Sequence, residues 1–283
     1  MTDTAATATT DPAATALWVG RLQVGFTWNN DRTTLTGAFA QAPCALSRPL
    51  YPNGPETCHV MVLHNAGGMV AGDRVELTAT VADGARAVLT TASAGKIYRS
   101  TGAQATQAIR ITVGAGATLA WSPLETIVFN GANYRQDLTV ELAPGGSYLG
   151  WDLVRFGRTA GGERFLNGAY RAHTTINRSG RPLWIDRQRL DGGEAALTSE
   201  QGLAGKSVVG TLVWIGPPLA DTVVAEARTA WSAMAGQGEA GVPVVAAGLA
   251  CRYRGESTAE ARQWFSTVWD LLSATGAPQR AGH

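Results

Sequence analysis

Charged side chains are scarce in this sequence of 283 residues, at 16%, well below the ~25% of an average soluble protein. The formal net charge is only +1, and no basic run occurs. Both facts argue against a protein that binds nucleic acid through many phosphate contacts. A surface with so little charge and nine tryptophans is either partly covered by partners or reflects a composition rich in Gly and Ala. We weigh these two explanations equally.

Cysteines and long apolar runs are also few. The three cysteines, Cys44, Cys58 and Cys251, are odd in number and form no C-x-x-C motif, which disfavours a disulfide framework and favours a reducing compartment. The longest apolar stretch, VPVVAAGLAC from Val242, is too short to span a bilayer. Residues 1–16 lack the basic start and apolar centre of a signal peptide and are predicted to be a disordered tail. The expectation is a cytoplasmic protein without a membrane partner.

What the sequence does contain is a succession of short β-forming runs. Apolar residues alternate with polar ones from Leu22 to Trp28, and again at Leu138, Val140 and Leu142. Turn signals recur at a spacing of roughly 8–12 residues, which is typical of an all-β architecture. We predict one β-dominated domain over residues 17–273, followed by a short flexible tail at 274–283.

Two late segments have the apolar period of helices. Asp221 is predicted to cap the first, and Ser257 or Thr258 the second. In the second segment Phe265 and Trp269 share a stripe that should face the sheet. Trp264 lies outside that stripe, so we expect its side chain to be partly exposed and to contact a partner protein.

Familiar site motifs are missing. The loop with Gly67, Gly68 and Gly72 joins two strands and lacks the G-x-G-x-x-G spacing, so nucleotide binding is disfavoured. No G-x-S-x-G motif occurs. His59 and His64 are an odd number of residues apart and would point to opposite faces of a strand, which disfavours a permanent metal site.

Several acidic residues interrupt apolar strands: Glu56, Asp73, Glu125, Asp152 and Asp186. A carboxylate in a β-core is costly unless it is paired or solvated. The default explanation is pairing with an arginine such as Arg155, Arg158 or Arg187. The alternative is a wet, acid-lined passage suited to weak, reversible contact with a hard or borderline cation.

Long ordered motifs in the sequence resemble the urease accessory protein family UreD, called UreH in some organisms. They are SRPLYPNGPETCHVMVLHNAGGMVAGDRVEL, GARAVLTTASAGKIYRSTGAQA, GATLAWSPLETIVFNGA, LGWDLVRFGRTAGGERF and RPLWIDRQRL. Asn65–Ala66 stand where the family usually has Pro-Pro. The family's usual C-terminal segment, similar to Pro-Arg-Ile-Trp, is absent.

The resemblance implies two stacked, mixed β-sheets wound in a helical manner, with two α-helices near the C-terminus. It also implies a scaffold, not an enzyme, that binds a UreF-like protein, reaches a UreG-like GTPase through it, and docks on apo-urease. No cofactor is expected to stay bound. Nickel is expected to pass transiently through an interior passage, and Glu56, Asp73, Asp152 and Asp186 match family positions associated with it. The alternative function is a β-rich hydrolase or small-ligand-binding protein that uses the same acids.

Overall fold

A computed structural model describes residues 18–158, 161–243, 245 and 247–281. The tail predicted at 1–16 lies outside the described residues. The strands are β1 (Val19–Asn29), β2 (Arg32–Gln41), β3 (Cys44–Leu46), β4 (Thr57–His64), β5 (Arg74–Val81), β6 (Arg86–Thr91), β7 (Gly95–Ile97), β8 (Ala105–Val113), β9 (Thr118–Ser122), β10 (Thr126–Val128), β11 (Asn133–Leu142), β12 (Ser147–Phe156), β13 (Ala169–Arg178), β14 (Arg181–Asp191), β15 (Val208–Ile215), β16 (Glu239–Gly241) and β17 (Leu249–Gly255). The helices are α1 (Glu194–Thr198), α2 (Asp221–Ala233) and α3 (Thr258–Ser273).

The strands form two stacked sheets. Sheet A has seven strands in the order β14-β13-β11-β8-β5-β1-β2. Sheet B has ten, with the path β16-β17-β15-β12-β9-β6-β4-β3 and the short β7 and β10 beside it. Apart from the short β7 and β10, the chain alternates between the sheets from β4 to β13, and each strand after β5 pairs in parallel with the previous one of its sheet. This winding confirms the predicted fold class of two mixed sheets wound in a helical manner.

Period-two alternation places one buried face of each sheet between the two sheets. On β11 the inward face holds Leu138, Val140 and Leu142, as the sequence predicts, and all three are buried. They belong to one continuous core with Tyr148 and Phe156 of β12 in the facing sheet. Burying such large apolar area from water is the main force that holds two sheets together.

A second core lies on the other face of sheet B, which α2 and α3 cover. Leu149 and Leu153 of β12 and Trp214 of β15 pack there against helix residues such as Phe265. The hydroxyl of Ser257 accepts the N–H of Glu260 at 3.1 Å, which confirms the predicted cap of α3. The predicted cap of α2 is wrong: Ala220 occupies the N-cap position and Asp221 is the first helical residue. The short α1 was not predicted.

The prediction that Trp264 is partly exposed is also wrong. Its side chain is fully buried, its indole N–H donates to the carbonyl oxygen of Ala227 at 3.0 Å, and its ring lies 5.4 Å from that of Trp231. The reason is that α3 has two apolar faces. One packs on sheet B and the other on α2, so a residue outside the first stripe is still in the core.

The segment predicted as a short flexible tail lies against the domain over its described residues, 274–281. Ala277 is buried, and the indole N–H of Trp269 donates to the carbonyl oxygen of Pro278 at 2.6 Å. The guanidinium of Arg280 pairs with Asp270 at 2.7 Å. These contacts fix the segment to the C-terminal end of α3.

Candidate functional site

A cavity of about 390 Å³ lies between the two sheets. Sheet A contributes inward-facing residues of β1, β5, β8 and β11 to its walls. Sheet B contributes residues of β3, β4, β6, β7, β9, β10 and β12. Its walls are mostly apolar, with Leu77 and Ile109 on one side and Trp121 on the other. Gly67 and Lys96 belong to the same lining and are exposed, so the cavity opens to the surface beside them.

The loop at this mouth is held by a close approach of two backbones. The N–H of Met69 donates to the carbonyl oxygen of Lys96 at 2.7 Å. Gly68 precedes it at φ +148°, and a Cβ there would come within 2.6 Å of that same oxygen. Only glycine fits this position without moving the loop. The glycines noted in the sequence therefore shape the mouth of a cavity.

A second, narrower space of about 20 Å³ lies between the cavity and β14. Trp121, Gln136 and Asp152 line both spaces and stand between them. The narrow space has room for about one water molecule. It ends among Asp186, Gln188 and other polar residues. Two of the four acids predicted to line a passage, Asp152 and Asp186, therefore line the same narrow space, and Asp152 also faces the cavity.

Asp152 faces this space because it lies on β12 in the same alternation as the inward-facing Tyr148. Its Oδ2 accepts hydrogen bonds from Gln136 Nε2 at 3.2 Å and from the hydroxyl of Tyr170 at 3.4 Å. Burial, with a smaller contribution from the nearby negative charge of Asp186, raises the pKa of Asp152 to about 6. Among the described residues no arginine or lysine forms a salt bridge with it. Asp152 is thus a deep carboxylate without a cation of its own.

Asp186 has a different environment. Its Oδ2 accepts from Arg252 Nη1 at 2.8 Å and from Gln188 Nε2 at 3.0 Å. Burial acts to raise the pKa of Asp186, but these hydrogen bonds and the charge of Arg252 outweigh it, so the net pKa is lowered. The pairing expected for buried acids therefore occurs at Asp186. Its partner is Arg252, which the sequence analysis did not name.

The other two predicted acids lie elsewhere. Glu56 is exposed in the turn before β4, where its backbone carbonyl accepts the hydroxyl of Thr33 at 2.6 Å. Asp73 is half-buried, and its Oδ2 accepts the N–H of Val70 at 2.9 Å, which closes the glycine loop. Neither residue lines the two spaces described above. Glu125, also noted as unusual, pairs with Arg262 of α3 at 3.2 Å.

Comparison with known proteins identifies the family. A family model described as "UreD urease accessory protein" matches residues 19–282. The urease accessory protein UreD of Nostoc sp. (strain PCC 7120 / SAG 25.82 / UTEX 2576) is 50% identical over 255 residues, which cover 90% of each chain. That of Trichormus variabilis is 51% identical over the same length, and that of Dechloromonas aromatica is 40% identical over 265 residues, or 92% and 91% of the two chains. The chain belongs to the UreD family.

Membership in the UreD family decides between the two function classes that the sequence left open. The relatives are named as accessory proteins and not as enzymes, so the role of urease accessory protein stands and the hydrolase alternative is set aside. Among the described residues, no helix has both the length and the apolar character needed to cross a membrane.

Gln136 and Arg252 are the site residues that sequence reasoning missed. Gln136 is buried, lines both the wide and the narrow space, and donates a hydrogen bond to Asp152. A signal for it existed, because it shares the inward face of β11 with Leu138 and is the polar member of that face. Arg252 alternates on β17 with Cys251 and Tyr253, which face the helices, so it points toward sheet A. Nothing in the sequence linked it to Asp186, 66 residues earlier.

The described residues hold no group of three His, Cys, Asp or Glu side chains that could enclose a metal ion. The described cysteines Cys44, Cys58 and Cys251 are buried as free thiols. Burial raises the pKa of Cys44, in the cavity wall, to about 11, which disfavours the thiolate that binds metals.

Asp152→Asn is expected to gain stability relative to the unchanged chain as pH rises from about 4 to 7. The folded pKa of Asp152, about 6, exceeds its unfolded value of 3.8, so folding favours the protonated acid and ionisation costs stability as pH rises through this window. His59 acts oppositely, because burial lowers its pKa from 6.5 to about 4. Thermal midpoints of both proteins across the window measure the difference. If the difference between the two thermal midpoints stayed the same across this pH window, the assigned pKa of Asp152 would be wrong.

Proposed function

We propose that this UreD-family chain serves urease maturation as a scaffold through which nickel passes to apo-urease. The observation that carries the proposal is the position of Asp152, which lines both the cavity that opens at the surface and the narrow space that holds Asp186. Asp152 is a deep carboxylate that no described cation neutralises. Such a group attracts a passing divalent cation, and it lines a cavity of about 390 Å³ that opens to the surface.

The chemistry of this space suits transit better than storage. A carboxylate with two neutral hydrogen-bond donors is a weak, oxygen-bearing station, and weak sites let an ion leave. Because the pKa of Asp152 is about 6, the carboxylate is largely ionised at neutral pH and becomes protonated as pH falls below that value. Cation binding should therefore weaken on acidification. Nickel is the cargo here, and no cofactor is proposed to remain bound.

The proposed partners are a UreF-like protein, a UreG-like GTPase reached through it, and apo-urease. We place this action in the cytoplasm, in keeping with the free thiols of the described cysteines. Neither nucleic acid nor a membrane is a proposed partner. The support for these roles is family membership together with the two neighbouring interior spaces that Asp152 lines.

The test is reconstitution of urease activation from purified apo-urease, the UreF-like and UreG-like proteins, nickel and GTP, with and without this chain. Activation is expected only when the chain is present, and all four proteins should then migrate as one assembly on size-exclusion chromatography. Equal activation without the chain would refute the conducting role. Activation without any stable assembly would refute the scaffold role alone.

A further inference from the structure

The connections from sheet B to sheet A all run along one side of the molecule. Because β5, β8, β11 and β13 are parallel, the segments that enter them lie at the same edge. We name this edge, as far as it is described, the loop edge; it comprises residues 65–73, 98–104, 129–132 and 157–168 with the adjoining Trp18, Arg74 and Lys96. Backbone hydrogen bonds join its segments in sequence, from Tyr98 to Met69, from Ser100 to Gly131 and from Gly131 to Asn167.

Large apolar side chains are exposed along the loop edge. Trp18 is 54% exposed, Val70 47%, Leu166 39% and Tyr98 37%. Within the described chain, seven large hydrophobic residues are exposed, and these are four of them. Single exposed apolar residues are ordinary, but a row of them on one edge marks an interaction surface.

The same edge carries positive charge that no described acid neutralises. Arg74, Lys96 and Arg99 are exposed and form no salt bridge with any residue that the structure describes. The loop edge has two described acids: Asp73 accepts the N–H of Val70, and Glu163 accepts that of Asn130 at 2.7 Å and pairs with Arg158 at 3.7 Å. The loop edge is therefore both apolar and basic.

The connections that run from sheet A back to sheet B at the opposite edge lack these features. The three between β5 and β12, residues 82–85, 114–117 and 143–146, consist of Gly, Ala, Pro and the single acid Asp83. They contain no basic residue and no large apolar one. At both edges the connections link the same two sheets. Short loops of small residues are enough at one edge, so the fold does not require long, basic and apolar loops at the other.

We propose that the loop edge docks a partner protein whose surface is acidic and partly apolar. Charge complementarity selects that partner and speeds its encounter, while Val70, Tyr98 and Leu166 supply apolar contact. The cavity opens at Gly67 and Lys96 on this edge, so the docked protein covers the mouth. Only the identity of this partner rests on the proposed function. Under that function, the partner is the UreF-like protein or apo-urease.

The test compares Arg74→Glu/Arg99→Glu with Arg110→Glu in the full chain. Arg110 is equally exposed and without a described salt bridge, but it lies on the outer face of sheet A. Binding to the UreF-like protein and to apo-urease is measured separately, at low and high salt. For one of them, the double variant is expected to lose affinity roughly tenfold or more at low salt and to show a reduced salt dependence, whereas the control binds normally.

Each other outcome has a definite meaning. If both partners bind the double variant as tightly as Arg110→Glu, the docking surface is wrong while the proposed function stands. If neither partner binds the unchanged chain, the scaffold role fails and the inference with it. A mixed-sequence, single-stranded oligonucleotide serves as a further probe. Tight binding of this probe that the double variant loses would replace the acidic protein by a nucleic acid and overturn the inference.

Discussion

Asp152→Asn is expected to abolish nickel loading of urease while leaving the maturation complex assembled. Asn keeps the size of the side chain and can still accept from Gln136 and Tyr170, but it removes the negative charge that attracts a cation. Replacing a residue that only hydrogen-bonds a metal ligand lowers metal affinity or activity by roughly 10- to 100-fold. Asp152 is proposed to contact the cation itself, so urease activation should fall by at least that factor. At neutral pH the variant should be no less stable, because it removes a buried charge.

The control for this experiment is Asp137→Asn. Asp137 lies on β11, next to Gln136, but on the outer face of sheet A, where it is paired with Arg135 at 2.7 Å. Activation of urease by this variant should match that of the unchanged chain. Full activation by Asp152→Asn would mean that nickel takes a route that avoids the interior carboxylate.

Trp264→Ala is expected to destabilise the fold by about 3–5 kcal/mol, the range for truncating a large aromatic side chain in a core. The side chain is fully buried between α2 and α3, and its loss would leave a cavity beside Trp231 and strand the carbonyl of Ala227. Thermal or denaturant unfolding measures the effect. Partner binding should fall only to the extent that folded protein is lost.

Trp18→Ala provides the matched control, because the same side chain is removed from a site where it is 54% exposed. The unfolding midpoint of Trp18→Ala should differ little from that of the unchanged chain. If Trp264→Ala kept the midpoint of the unchanged chain but lost partner affinity, the packing of α3 on α2 would be wrong and Trp264 would be the contact first expected from the sequence.

The architecture was predictable because its determinants are local. The inward face of β11 follows from period-two alternation, and the cap at Ser257 follows from side-chain chemistry. The placement of Trp264 was not predictable in this way. Whether a helix has one apolar neighbour or two depends on tertiary packing, and α3 packs on both sheet B and α2.

The site was predictable only in part, for a similar reason. Asp152 and Asp186 could be identified as acids in apolar strands, but they lie in different sheets, and only the stacking brings them together. Glu56 and Asp73 stand at strand ends, where a turn exposes one and a backbone N–H engages the other. Long-range pairs such as Asp186 with Arg252 leave no periodic trace in the sequence.

The stations along the proposed passage differ because their partners differ. Arg252 forms an ion pair with Asp186, which keeps that carboxylate ionised and leaves it less available to a cation. Asp152 accepts hydrogen bonds only from neutral donors and forms no ion pair with a described residue. The side chain of Asp186 is 13% exposed and that of Arg252 is 41% exposed, so substitution of Asp186 would remove this ion pair and the hydrogen bond from Gln188 as well as any station for a cation. Asp152 is therefore the residue at which conduction and stability can be separated.

The most direct measurement is transfer of radiolabelled nickel from the UreG-like protein to apo-urease in the assembled complex, with excess chelator in the solution. A route through the interior predicts that transfer in the unchanged complex survives the chelator and that the Asp152→Asn complex transfers almost none. Complete interception by the chelator, or equal transfer by both complexes, would contradict passage of nickel through this chain.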